Sequence, residues 1–152
     1  MKSWKIESVI ELEPIAAELV SSLDKPSLIW IEGEVGAGKT TFIKSLIRAL
    51  RKKLGATASD KEVSSPTFSV HNIYDLGAFN FHHFDFYRLK SESDLESIGF
   101  WESLNELNSM VCIEWPQKLL EIEALSGRQL VLIKIEFLKE IGRKISFTIK
   151  KS

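Results

Sequence analysis

Gly33-Glu34-Val35-Gly36-Ala37-Gly38-Lys39-Thr40 is the stretch on which the fold turns. It matches G-x-x-x-x-G-K-[ST], the pattern of a phosphate-binding P-loop. Its flanks agree. Ser27-Leu28-Ile29-Trp30-Ile31, just ahead of it, is a short apolar run that reads as a buried strand. Phe42, Ile43, Leu46, Ile47, Leu50 and Leu54, just behind it, are spaced as one helical face. A glycine-rich turn that binds nothing would need neither. Gly33 and Gly38 permit backbone angles that strain other residues. Small residues let amides crowd around a phosphate, and the positive end of the following helix attracts anions. Lys39 can therefore reach β- and γ-phosphates, and the Thr40 hydroxyl can join a Mg²⁺ shell. Gly33, Glu34, Val35, Gly36, Ala37, Gly38, Lys39, Thr40 and Thr41 are the expected nucleotide-binding residues. The loop names neither the base nor the purpose of hydrolysis.

The rest of the composition sets limits. With 152 residues, 44% hydrophobic and 27% charged, the chain is expected to form one α/β domain over 1–152 with its own core. A net charge of −1 gives no support to polyanion binding over the whole surface. The lone Cys112 excludes an internal disulfide, and its apolar surroundings predict burial as a small hydrophobe. No long apolar segment predicts a membrane span, and Met1–Glu7 lacks the apolar core of a signal peptide. A cytoplasmic protein is expected.

In chain order, Trp4 to Val9 reads as an edge strand. Pro14 opens a helix with Ile15, Leu19 and Leu23 inward, and Asp24-Lys25-Pro26 stops it. The P-loop helix runs to about Leu54, with Gly55 as its cap. Its other face carries Lys44, Arg48, Arg51, Lys52 and Lys53. That face reads as solvated in preference to an RNA or acidic-partner contact. Residues 56–66 form a loop closed by Thr67, either a surface connection or a switch that brings a hydroxyl to the γ-phosphate. Phe68 to Tyr74 and Phe81 to Tyr87 read as two strands of a hairpin. His82 and His83 then point to opposite faces, which makes them a poor metal pair and favours packing or hydrogen bonding. Asp85 lies in an aromatic run, where a carboxylate is costly without a partner such as Arg88 or a bound cation. Ser91 and Asp94, or Ser93 and Glu96, suit a capped short helix ended by Gly99. Met110 to Ile113 is a brief strand ending at Glu114, as a Walker B acid would. A helix bearing Leu119, Leu120 and Ile122 follows, then a closing hairpin around Gly142.

Taken together, the P-loop with Thr41, Ser65-Pro66-Thr67, His83-Phe84-Asp85-Phe86-Tyr87-Arg88-Leu89 and Glu114-Trp115-Pro116 resemble the TsaE (YjeE) family in order and spacing. The resemblance implies a three-layer P-loop NTPase-like fold with a mixed central sheet and a C-terminal β-hairpin. It implies a small cytosolic ATPase, using ATP and Mg²⁺, that serves N6-threonylcarbamoyladenosine (t6A) formation at adenosine 37 of tRNA. In that family the ATPase binds the TsaD–TsaB assembly and supports its turnover, TsaC makes the adenylate, and tRNA is met indirectly. Carried over, Lys39 contacts phosphates, and Thr40, Asp85 and Glu114 surround Mg²⁺ and the water. Thr67 sits in a switch-like loop, and Lys39, Thr67, Asp85 and Glu114 form the expected catalytic set. Trp115 matches the tryptophan after the family's glutamate, and Arg143 approaches the nucleotide. The chain departs from the family pattern at Leu12, where a helix threonine is common, and at Gln117, where an acid often follows. A small-molecule P-loop kinase is the alternative, though no Arg-rich lid is evident in the sequence.

Overall fold

The computed structural model describes residues 1–23, 26–56, 66–116, 127–139 and 141–150. Seven strands form one mixed sheet. They are β1 (Lys2–Ile6), β2 (Ser27–Glu32), β3 (His71–Asp75), β4 (Asn80–Asp85), β5 (Ser109–Glu114), β6 (Gln129–Phe137) and β7 (Arg143–Lys150). Their spatial order is β1-β7-β6-β2-β5-β4-β3. The central four, β6-β2-β5-β4, run parallel, and β7, β1 and β3 pair antiparallel at the two sides. This is the P-loop NTPase-like α/β fold expected from the loop and its flanks.

Helices cover both faces. α1 (Leu12–Ser21) and α2 (Lys39–Leu54) pack on one face, against Ile29, Ile31, Cys112 and Val131. α3 (Glu92–Ser97) and α4 (Phe100–Asn105) cover Leu28, Trp30, Phe84, Val111 and Ile113 on the other. A strand covered on both faces has no need of alternation, which is why β2 reads as an unbroken apolar run. Leu28, Ile29, Trp30 and Ile31 are all buried, each contributing roughly 1.5–3 kcal/mol. The pairs Lys2–Glu18 and Lys134–Glu136 lie exposed, where solvent screens them, so burial dominates. Cys112 is fully buried, and burial pushes its thiol well up, with Glu114 adding to the effect.

Several expectations shift in detail. β1 stops at Ile6, because a Ser8–Glu11 capping box starts a short 3₁₀ turn before α1. Leu54, at the end of α2, is exposed, while Phe42, Ile43, Leu46, Ile47 and Leu50 are buried. β3 begins only at His71: Phe68 lies exposed in a turn, and Val70 has φ 63°, which breaks the strand. β4 ends at Asp85, short of Tyr87. The Ser91–Asp94 capping box forms as one of the two expected. The basic face of α2 is solvated as expected at Arg48, Lys52 and Lys53, with Lys44 and Arg51 half-buried, and Lys53 also caps α1. Lys53 donates to Val20 O (2.9 Å) and Leu23 O (3.1 Å), closing the carbonyls left open at the end of α1. Residues 57–65 of the expected 56–66 loop, the helix of Leu119, Leu120 and Ile122, and Asp24, Lys25 and Gln117 lie outside the described residues.

The β6–β7 hairpin forms as expected and sits inside the sheet, beside β2. Gly142 at its turn has φ 97°, and a Cβ there would run into the Ile6 carbonyl oxygen. Gly142→Ala is expected to cost about 2 kcal/mol or more, from the left-handed backbone plus the clash. A thermal melt should show it as a drop of several degrees.

On the opposite edge, His71 stacks on Phe84 and lies 3.0 Å from His82, which in turn meets Glu106. Burial, with the His82 and His83 rings adding to it, pushes the His71 imidazole down to about 4. Unfolded histidine takes up a proton near pH 6.5, which folded His71 resists until about pH 4. Stability is therefore expected to fall as pH drops through that window. Melts in a pH series should show the fall, and His71→Asn should flatten part of it.

Candidate functional site

β2, β5 and β4 lie side by side and end level. Ile31 pairs with Glu114, and Glu114 pairs with Asp85. Ligands of open α/β sheets bind beyond the carboxyl ends of such strands. The P-loop leaves β2 at that edge, so its phosphate cradle and both strand-end acids share one place.

The loop is shaped by close packing. A Cβ on Gly33 would come within 2.6 Å of Ile135 O and 3.3 Å of Ala37 Cβ, so only glycine lets the loop run against β6. Gly38 is the N-cap of α2 and contributes no side-chain cap, which leaves the first amides of a 16-residue helix open to an anion. Arg143 steadies the loop from outside. Its Nε donates to Ala37 O (2.8 Å), and its Nη2 reaches Gly36 O (3.5 Å).

A cavity of about 340 Å³ opens below the loop. Val35, Gly36, Gly38, Lys39, Thr40 and Thr41 line it from the P-loop side, facing Thr67, Asp85, Tyr87, Glu114 and Trp115. The structure thus brings Lys39, Thr40, Thr67, Asp85 and Glu114 to one cavity. Gly33 and Glu34 stand behind the cavity, where their carbonyls accept from Lys39 Nζ at 2.9 and 3.0 Å. Ala37 is buried and, with Gly36, Gly38 and Thr41, borders a second cavity of about 170 Å³. Leu12, at the position where the family pattern often has threonine, lines that second cavity with Arg143.

Polar contacts set each group. Thr40 Oγ1 donates to Glu114 Oε1 at 2.9 Å, and His83 Nε2 lies 2.8 Å from the same oxygen. Thr67 Oγ1 donates to Asp85 Oδ2 (3.1 Å), and the Tyr87 amide donates to Asp85 Oδ1 (3.0 Å). Arg88 is thus not the partner of Asp85; its guanidinium stacks over Phe68. One hydroxyl and two carboxylates make an all-oxygen donor set, of the hard kind that suits Mg²⁺. Lys39 is buried, and its Nζ lies 3.9 Å from the centre of the Trp115 ring. Burial lowers the Lys39 ammonium, and the Glu114 and Asp85 carboxylates pull it back up.

Three contacts were beyond sequence reasoning: His83 on Glu114, Trp115 over Lys39, and Tyr87 beside Trp115 at 5.1 Å. The histidine carried a partial signal, being two residues before Asp85 and so on the same face of β4. Trp115 stood out only through the family motif, which did not place it on Lys39, because that contact depends on φ 62°. Val70, with φ 63°, is the other non-glycine residue at positive φ among the described residues. Both are costly backbones, and they flank the segments that bring Thr67 and Trp115 to the cavity.

The chain is similar to known proteins of one family. The family model "Threonylcarbamoyl adenosine biosynthesis protein TsaE" matches residues 6–145. Three relatives share the description tRNA threonylcarbamoyladenosine biosynthesis protein TsaE. The one from Borreliella burgdorferi is 41% identical over 92 residues, which span 60% of this chain and 61% of the relative. That from Rickettsia felis is 31% identical over 136 residues, 90% of this chain and 73% of the relative. That from Aquifex aeolicus is 29% identical over 145 residues, 95% and 94% of the two chains. The crystal structure of Bacillus subtilis YdiB shares the fold, with a TM-score of 0.66 at 23% identity, over 99% of this chain and 86% of that one.

The Lys39–Trp115 contact is open to a direct measurement. Phosphate binding should draw the ammonium away from the indole. Adding ATP is expected to change tryptophan emission, and Trp115→Phe, which keeps the other three tryptophans, should abolish most of the change.

Proposed function

The chain belongs to the TsaE family, and on that premise we propose that residues 1–152 form one Mg²⁺-dependent ATPase domain serving t6A modification of tRNA. In this reading it is a cytoplasmic protein that binds the TsaD–TsaB assembly. Its ATP hydrolysis supports repeated turnover there, and it meets tRNA only through those partners. The observation that carries the ATPase reading is the gathering of Lys39, Thr40, Thr67, Asp85 and Glu114 around one cavity under the P-loop. The tRNA assignment rests on the family and on the description its relatives carry.

The chemistry follows from the groups present. The open amides of α2 bind phosphate oxygens. Lys39 exchanges the carbonyls of Gly33 and Glu34 for the β- and γ-phosphates. Thr40, Asp85 and Glu114 would hold Mg²⁺, which when bound neutralises charge on the phosphates. Glu114 orients the attacking water from the end of β5, and Asp85 keeps Thr67 at the same cavity. Phosphoryl transfer asks for little beyond such positioning and charge. Small P-loop proteins hydrolyse slowly until a partner completes the site, at about 10⁻⁴ s⁻¹ in the case of Ras. Slow hydrolysis alone is expected here too.

Two measurements test this. The ATPase rate should rise when TsaD–TsaB is added, with tRNA present or absent as a further variable. Failure to associate with that pair in any nucleotide state would remove the partner assignment, and a phosphorylated metabolite would favour a kinase. Within the site, Lys39→Ala should weaken nucleotide binding, whereas Glu114→Gln should leave binding near normal and slow hydrolysis by about 10²-fold or more. Equal loss of binding in both would contradict that division.

A further inference from the structure

His83 is fully buried on β4, on the same face as Asp85. Its Nε2 lies 2.8 Å from Glu114 Oε1, and its Nδ1 has no hydrogen-bond partner among the described residues. A carboxylate only accepts, so the ring carries a hydrogen on Nε2 and donates it to Glu114. A buried polar atom without a partner, as Nδ1 is among the described residues, costs stability. An apolar side chain of similar size would therefore serve packing at least as well, and the imidazole needs a reason beyond the fold.

Glu114 supplies that reason. Its Oε1 takes a second hydrogen bond from Thr40 Oγ1 at 2.9 Å. Thr40 is also the hydroxyl of the P-loop that a bound metal ion would claim. Once Thr40 turns away, His83 is the donor that remains on Oε1. We infer that His83 is a positioning residue that holds the Glu114 carboxylate in one orientation while Thr40 changes partner, leaving Oε2 for the reacting water. This rests on the ATPase reading of the site. His83 is buried and does not line the cavity, so it acts through Glu114.

Three variants separate positioning from packing. Gln at 83 places an amide N–H near the position of Nε2; Asn is too short to reach Glu114, and Leu has no donor. His83→Leu and His83→Asn are expected to lower kcat by about tenfold or more, with KM for ATP within about threefold of wild type. His83→Gln should recover kcat to within about threefold. Melting temperatures of His83→Leu and His83→Gln should stay close to wild type, while the unpaired amide of His83→Asn should lower its melting temperature. In a Glu114→Gln background, His83→Leu should change kcat by less than about twofold, because the effect passes through Glu114. A His83→Leu protein as fast as wild type, or equally slowed in both backgrounds, would overturn the assignment. Long-range ¹H–¹⁵N spectra of the three histidine rings give a readout free of hydrolysis. His83 should be the Nε2–H tautomer, and an Nδ1–H tautomer would also overturn the inference. Should the wild-type protein hydrolyse no ATP even with its partners, the ATPase reading fails, while the tautomer still decides the His83–Glu114 contact.

Discussion

Parallel register of three strands is the constraint on which the site depends. β2, β5 and β4 end level, with Ile31, Glu114 and Asp85 in one row. That row cannot slip. A shift of one residue would turn every buried side chain of a strand to the wrong face, and both faces of this sheet are covered by helices. The apolar core thus fixes the position of two carboxylates that it does not itself contain. The P-loop, leaving β2 at the same edge, meets them without further adjustment.

Charge in the site is balanced by small, local contacts. Lys39 is pulled both ways, since burial lowers its ammonium and the Glu114 and Asp85 carboxylates raise it. Two loop carbonyls and the Trp115 face satisfy the cation in the meantime. Each of these contacts can be exchanged for a phosphate oxygen at modest cost, because none is an ion pair at contact distance. The carboxylates are each held by two hydrogen-bond donors: Thr40 and His83 on Glu114, Thr67 and the Tyr87 amide on Asp85. Such bonds fix the orientation of each carboxylate toward the cavity.

The strands beyond β2 brace the loop. β6 runs close enough behind Gly33 that a Cβ would meet Ile135 O, and Arg143 at the start of β7 grips the carbonyls of Ala37 and Gly36. Gly142 brings the hairpin turn against Ile6 of β1. A P-loop must keep its carbonyls turned out so that its amides turn in, and Arg143 and Lys39 hold those carbonyls from two sides.

Sequence by itself determined the elements and the chemistry of the site. The P-loop between an apolar run and a helical stripe, the glycines at 33 and 38, and the acids at the ends of two short strands are local patterns. Each obeys a period or a turn rule that neighbouring residues suffice to state. The same local rules misplaced the start of β3, where Val70 takes an unfavourable φ that only the surrounding structure can impose. What tertiary structure alone decided was which side chains meet across long separations. His83 and Glu114 are 31 residues apart, Arg143 and Ala37 are 106 apart, and Trp115 covers Lys39 from a turn with φ 62°. Such contacts follow from strand order, register and rare backbone angles, which the packing of the whole chain selects and no local pattern encodes.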